Sequence, residues 1–269
     1  MSRIDQCFGA LRAEGRKALV PYISAGDPNA ELTLELMHGL VNAGANLIEL
    51  GVPFSDPMAD GPVVQKAAER ALAAGMTLEG VLSIVAQFRA SNAAVPVVLM
   101  GYLNPIERMG YAAFAKAASS AGVDGVLIVD LPPEEGAPFL AALGEEGLAP
   151  IFLLSPTTST ARVQRICADA RGYVYYVSLK GVTGAAHLDT DTIARPVEEI
   201  RALTDLPVGV GFGISDPQSA KAVASVADAV VVGSAIVRRI EEHSGDPPRM
   251  VAEVCELVSA MRSEMDTIE

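Results

Sequence analysis

Two carboxylates, Glu49 and Asp60, are the side chains of this 269-residue chain best suited to chemistry. Glu49 interrupts the apolar run Leu47-Ile48-Glu49-Leu50, and Asp60 follows in a loop punctuated by Pro53, Pro57 and Pro62. A carboxylate inside an apolar strand is costly to bury in its charged form, so it is paired, protonated or put to use. Two acids in different surroundings divide labour, one held partly protonated and the other kept ionised. Glu49, flanked by Leu47, Ile48 and Leu50, suits general acid–base work; Asp60, in a polar loop, suits a fixed negative charge that attracts a donor on a substrate. The competing explanations are a solvated edge strand for Glu49 and a helix cap before Gly61-Pro62 for Asp60.

Two glycine turns form a second group. Gly211-Phe212-Gly213-Ile214-Ser215 and Gly233-Ser234-Ala235 each follow an apolar run and open a helical segment. Glycine lets backbone N–H groups approach an anion, and the helix N-terminus favours negative charge. Gly213, Gly233 and Ser234 are therefore candidates to hold a phosphate, while Ser215-Asp216-Pro217-Gln218 reads as a capping box. A third group, Ser178 to His187, surrounds Thr183 with small residues and suits a lid that closes over a ligand. His38 and His187 stand beside no second type of ligand, and Cys7, Cys167 and Cys255 are odd in number and far apart. No metal site is expected, and reduced cytosolic thiols are.

Alternating strand and helix signals must position these groups. Apolar strands are expected at Ala18–Ser24, Leu47–Leu50, Val95–Met100, Gly125–Asp130, Pro150–Leu154, Tyr173–Val177, Val208–Gly211 and Ala229–Val232. Ile4, Phe8 and Leu11 mark a helix before the first strand; Pro62–Ala74 and Thr77–Ala90 mark two helices after the second. Asp27 with Pro28 reads as the cap of the helix after the first strand. Eight two-sided apolar strands joined by helical crossovers imply a parallel sheet, and an unbroken series of eight favours a single (β/α)8 barrel over residues 1–269. An open doubly wound sheet is the alternative, but the G-x-G-x-x-G fingerprint after the first strand is missing. A net charge of −13 argues against nucleic acid and anionic membrane surfaces. No apolar run approaches the roughly 18 to 20 residues of a membrane span, and the N-terminus has no signal-peptide core.

Taken together, the motifs resemble the tryptophan synthase alpha chain family, from the N-terminal helix to about residue 260. They are Pro21-Tyr22-Ile23-Ser24-Ala25-Gly26-Asp27-Pro28, Glu49 to Pro57 with Ala59-Asp60-Gly61-Pro62, Asn104-Pro105, Asp130-Leu131-Pro132, Gly181-Val182-Thr183-Gly184, Gly211-Phe212-Gly213-Ile214 and Val232-Gly233-Ser234-Ala235. The resemblance implies a carbon–carbon lyase that cleaves indole-3-glycerol phosphate to indole and glyceraldehyde 3-phosphate in tryptophan biosynthesis. It implies Glu49 as the proton donor and acceptor, and Asp60 as the acceptor for the indole N–H. Gly184, Gly213, Gly233 and Ser234 match the phosphate site, and Tyr22, Met100, Leu127, Tyr175, Thr183 and Phe212 match the substrate pocket. Tyr22 and Met100 stand where well-known members carry Phe and Leu, and Leu179-Lys180 replaces an Arg-Ala pair in the lid.

The resemblance further implies a beta subunit as partner in an alpha2beta2 assembly, with pyridoxal phosphate on the partner and no cofactor on this chain. Asp56, Pro57, Asn104 and Pro132, in loops after the second, third and fourth strands, are the expected partner surface. A cytoplasmic location follows. A stand-alone lyase and a catalytically silent activating subunit are the alternative readings, and the presence of both Glu49 and Asp60 favours a working enzyme.

Overall fold

Strand propensity and two-sided burial here produce a sheet that closes on itself. The computed structural model describes residues 1–177, 191–211 and 213–268, with the backbone alone for Asp191. Its strands are β1 (Ala18–Ser24), β2 (Ile48–Gly51), β3 (Val97–Gly101), β4 (Gly125–Ile128), β5 (Ala149–Leu154), β6 (Val174–Val177), β7 (Val208–Gly211) and β8 (Ala229–Val232). They pair in chain order, all parallel, and β8 closes on β1 through Ala18–Ala229 to Pro21–Val232. This is the expected (β/α)8 barrel.

The helices are α1 (Arg3–Ala13), before the barrel; α2 (Ala30–Asn42); α3 (Pro62–Ala73) and α4 (Leu78–Ser91), both after β2; α5 (Leu103–Met109) and α6 (Tyr111–Ala121), after β3; α7 (Ala137–Glu145); α8 (Thr160–Asp169); α9 (Asp191–Arg201); α10 (Pro217–Ala224); and α11 (Ser234–Glu242) and α12 (Pro247–Met265), after β8. No single described helix is long and apolar enough to cross a membrane.

Strand period two sorts the core into two layers. Leu19, Ile23, Ile48, Leu50, Val97 and Leu99 pack outward against the helices. Val20, Leu47, Val98, Leu127, Ile151, Tyr173 and Val231 fill the barrel. Ile4, Phe8 and Leu11 of α1 join this inner layer and plug the end of the barrel where the strands begin. Asp124 locks that end: its buried carboxylate takes Arg3 at 2.8 Å, the Val97 N–H at 2.8 Å and Arg89. The opposite end, where the strands finish, is left for the loops.

Three expectations about local structure are corrected. The cap of α2 is Asn29, whose side chain accepts from the Leu32 N–H, not Asp27. Asp27 is instead 1% exposed and receives Nε and Nη2 of Arg70, each at 2.8 Å, a bidentate pair that satisfies a buried charge. The capping box before α10 is centred one residue later, on Asp216 with Ser219. Asn104-Pro105 lies in α5 rather than in a loop. Pro105 sits in the first turn, where a missing N–H costs no intrahelical bond.

Candidate active site

Glu49 faces the barrel interior because Leu47, two residues before it, does. In the sheet it stands between Tyr22 of β1 and Val98 of β3. It is 0% exposed, and Oε1 accepts a 2.6 Å hydrogen bond from the Tyr173 hydroxyl. Oε2 has no hydrogen-bond partner among the described residues. Burial pushes the carboxyl up from 4.5 to about 7, and the Tyr173 bond, which favours the ionised form, opposes that rise. The flanking Ile48 and Leu50 point outward, so the desolvation comes from the inner layer and not from the nearest neighbours in sequence. The Phe8 ring of the α1 plug packs against the Tyr173 ring, tilted by 46° with centroids 5.8 Å apart, and so helps to fix the phenol that holds Glu49.

Asp60 comes to the same end of the barrel on the loop between β2 and α3. The N-cap of α3 is Gly61, with no side-chain cap, so Asp60 is not a helix cap. Its loop is pinned: Asp60 N–H donates to Pro57 O at 3.1 Å, and Gln65 Nε2 donates to Asp60 O at 2.7 Å. The Tyr102 hydroxyl accepts from Ala59 N–H at 2.9 Å and steadies the Asp60 carboxylate. Burial raises the Asp60 carboxyl above its ordinary value and the Tyr102 bond draws it back. The surroundings are therefore less polar than the loop composition suggests.

A pocket lies beside Asp60, and its apolar wall includes Val52, Phe54, Val64 and Met100. Of the expected pocket residues, Tyr22 and Met100 line it; Leu127 and Tyr175 belong to the inner barrel layer instead. The tyrosines explain two glycines. A Cβ on Gly51 would collide with the Tyr22 hydroxyl, and one on Gly211 with the Tyr175 hydroxyl. Gly211 thus gives room to a phenol.

The turns after β7 and β8 are neighbours because those strands pair. Gly213 adopts φ +79°, a left-handed conformation that favours glycine. Gly233 is the N-cap of α11, where an added Cβ would lie 3.7 Å from Tyr22 Cβ, and the exposed Ser234 is the first residue of α11. Thr183, Gly184 and Phe212 lie outside the described residues, as does the expected lid from Ser178 to His187. Among the described residues, no three His, Cys, Asp or Glu side chains gather as metal ligands.

Comparison with known proteins supplies the decisive observation. The family model for the tryptophan synthase alpha chain matches residues 8–266. A tryptophan synthase alpha chain from Thioalkalivibrio sulfidiphilus is 62% identical over 99% of this chain and 100% of its own length. A crystal structure of the alpha subunit from Legionella pneumophila superposes with a TM-score of 0.93 at 46% identity, covering 100% of both chains. A chain in a crystal structure of tryptophan synthase from M. tuberculosis gives 0.87 at 34% identity, covering 98% of each. The chain belongs to the tryptophan synthase alpha chain family. It is accordingly a lyase subunit that cleaves indole-3-glycerol phosphate to indole and glyceraldehyde 3-phosphate in tryptophan biosynthesis. Membership of the tryptophan synthase alpha chain family also implies a beta chain as partner.

Two residues that matter to this alpha chain site were not singled out from the sequence, Tyr173 and Tyr102. Strand parity was the signal for the first: Tyr173 and Tyr175 share a face, and that face is the barrel interior. Tyr102 directly follows β3 and reaches across to the loop after β2, a contact that no local pattern reveals. The Tyr173 bond yields a test. Tyr173→Phe removes a donor that stabilises ionised Glu49, so the carboxyl rises further and its alkaline limb in kcat/KM moves up by about one pH unit. An unchanged limb, measured from pH 5 to 9, would remove Tyr173 from the site.

Proposed function

We propose that Glu49 is the acid–base group of the cleavage and Asp60 its electrostatic partner. Protonated Glu49 delivers its proton to the ring carbon that bears the glycerol phosphate chain. The resulting carboxylate then takes the proton of the side-chain hydroxyl next to that carbon. As the carbon–carbon bond breaks, its electrons return to the ring and the hydroxyl carbon becomes the aldehyde of glyceraldehyde 3-phosphate. Asp60 accepts the indole N–H and balances positive charge that develops on the ring.

One observation carries this reading: a fully enclosed carboxyl, raised to about 7, with one oxygen held by a phenol and the other unbonded among the described residues. A group poised near neutral pH serves as acid and then as base. The test is release of indole from indole-3-glycerol phosphate by the purified chain alone. Slow release is expected, and no release by a folded chain at any pH between 5 and 9 would overturn the assignment.

Gly213, Gly233 and Ser234 hold the phosphate with backbone N–H groups, together with Gly184; the N-terminus of α11 supports this with its dipole. Thr183 and Phe212 complete the pocket with Tyr22 and Met100, and Leu127 and Tyr175 back it from the inner barrel layer on which Met100 packs. The whole of residues 1–269 acts as one barrel domain in the cytoplasm, binding neither nucleic acid nor membrane. The beta subunit carries pyridoxal phosphate, the assembly is alpha2beta2, and this chain carries no cofactor or metal.

Asp56, Pro57, Asn104 and Pro132 form the docking surface for that partner. They follow β2, β3 and β4, which are consecutive in the barrel. Asp56 and Asn104 are exposed, and Met58, two residues after Asp56, is 86% exposed, an apolar group available for burial. The Leu103 N–H donates to Asp130 Oδ1 at 2.9 Å, joining the segments after β3 and β4. Because Asp56 and Asp60 share one loop, docking at the first biases the position of the second. Asp56→Ala is expected to weaken activation by the beta chain several-fold while the solo rate stays near that of the wild type. Identical activation curves for the two proteins, with lyase rate plotted against added beta chain, would sink the docking assignment.

A further inference from the structure

Two hydroxyls stand together in the pocket wall, and a single hydrogen bond joins them. Tyr22 and Ser24 lie two positions apart on β1 and so share its inner face, with Oη and Oγ 3.3 Å apart. Both line the pocket beside Asp60 and Met100. Neither side chain has another hydrogen-bond partner among the described residues. Each hydroxyl brings one donor and two acceptor sites, so one shared bond leaves a donor and several lone pairs unspent. On their side the wall is apolar at Val52, Phe54, Val64 and Ala68, and the other polar side chains that line the pocket are Asp60 and Tyr102.

The position of this polar spot is held firmly. The Tyr22 ring packs on Val63, Val64 and Ala67 of α3 and on Val237 of α11, and its hydroxyl end lies against Gly51. Burial, then the charge of Asp60, raise the phenol well above its ordinary value, with Glu49 adding to the rise and the Ser24 bond opposing it. The phenol therefore stays a donor throughout the working pH range. An apolar wall holds an aromatic ring by area and penalises a polar substituent that loses its water. A fixed hydroxyl pair in that wall removes the penalty at one point on the ring, because the substituent's hydrogen bonds are replaced.

We propose that the Tyr22–Ser24 pair is a specificity element which recognises a hydrogen-bonding substituent, a hydroxyl or amino group, on the benzene ring of the bound indole. The pocket thus takes ring-hydroxylated indoles and their glycerol phosphates as well as the unsubstituted ring. This rests on the reading above that the pocket holds the indole ring.

The test is equilibrium binding of indole and of each indole hydroxylated on the benzene ring to the full chain, as wild type, Tyr22→Phe and Ser24→Ala. At least one hydroxyindole is expected to bind the wild type as tightly as indole does. For that ligand Tyr22→Phe should worsen the affinity ratio to indole by roughly tenfold, about 1.4 kcal/mol, and Ser24→Ala should move the same ratio in the same direction. A ratio that changes less than threefold in both variants overturns the proposal, as does a wild type that binds none of these ligands. Using ratios cancels a general loss of pocket shape, and Ser24→Ala supplies the answer if Tyr22→Phe does not fold. A chain that cleaves indole-3-glycerol phosphate with no change in ratio keeps the assigned function and loses this element. A chain with the ratio change but no cleavage does the reverse.

Discussion

Glu49→Gln lowers turnover of indole-3-glycerol phosphate by roughly 10²- to 10⁴-fold or more, the usual worth of a positioned general acid–base group, and leaves substrate binding in place. Glutamine keeps the volume of the buried side chain and can still accept from Tyr173, but it cannot deliver or take up a proton. Two pH signatures accompany the loss. The wild type starts the reaction with Glu49 protonated, so kcat/KM declines as the pH rises through about 7. Between 4.5, where the unfolded carboxyl titrates, and about 7, the folded chain holds a proton that the unfolded chain has released. Stability from this group is therefore fully present below pH 4.5, falls as the pH rises through that window and levels off above it. Glu49→Gln abolishes both trends. Turnover within a few-fold of wild type, read in a steady-state lyase assay, would eliminate the assignment.

Asp60→Asn separates charge from hydrogen bonding. Asparagine keeps an acceptor oxygen for the indole N–H and loses the negative charge that balances the protonated ring. Removing one preorganised group of this kind costs about 3 kcal/mol of barrier, on the order of 10²-fold in kcat. Tyr102 holds the loop at the Ala59 N–H and Gln65 at the Asp60 carbonyl, so the exchange is not expected to displace it. Single-turnover kinetics at saturating substrate isolate the chemical step. An Asn variant as fast as wild type would make Asp60 a hydrogen-bond acceptor whose charge is irrelevant.

The frame of the site was legible in the sequence because it depends on local patterns. Eight apolar runs with two buried faces could pair only in a parallel sheet, and the fold followed from their number and spacing. Glu49 was legible because a charge in such a run is an anomaly, and the prolines and glycines of the next loop marked where the chain leaves the barrel. Contacts between elements distant in the chain were not legible. Tyr173 reaches Glu49 across the barrel, and Tyr102 reaches Ala59 from just beyond β3. Asp27 looked like a cap because Asp-Pro often begins a helix; its real partner, Arg70, lies on α3. Gly211 looked like part of a phosphate turn, and only the position of the Tyr175 hydroxyl explains it. In each case the missing information was which distant segments meet, and closure of the sheet decides that.

The account turns on one property, a Glu49 carboxyl that stays protonated close to neutral pH inside the folded barrel. Its titration is measurable directly, from the side-chain carboxyl ¹³C shift of labelled glutamate, with Glu49→Gln identifying the signal. A midpoint near 7 is the predicted result. A midpoint near 4.5 in the folded protein would show a carboxylate already ionised at working pH, and would contradict its role as the acid that opens the reaction.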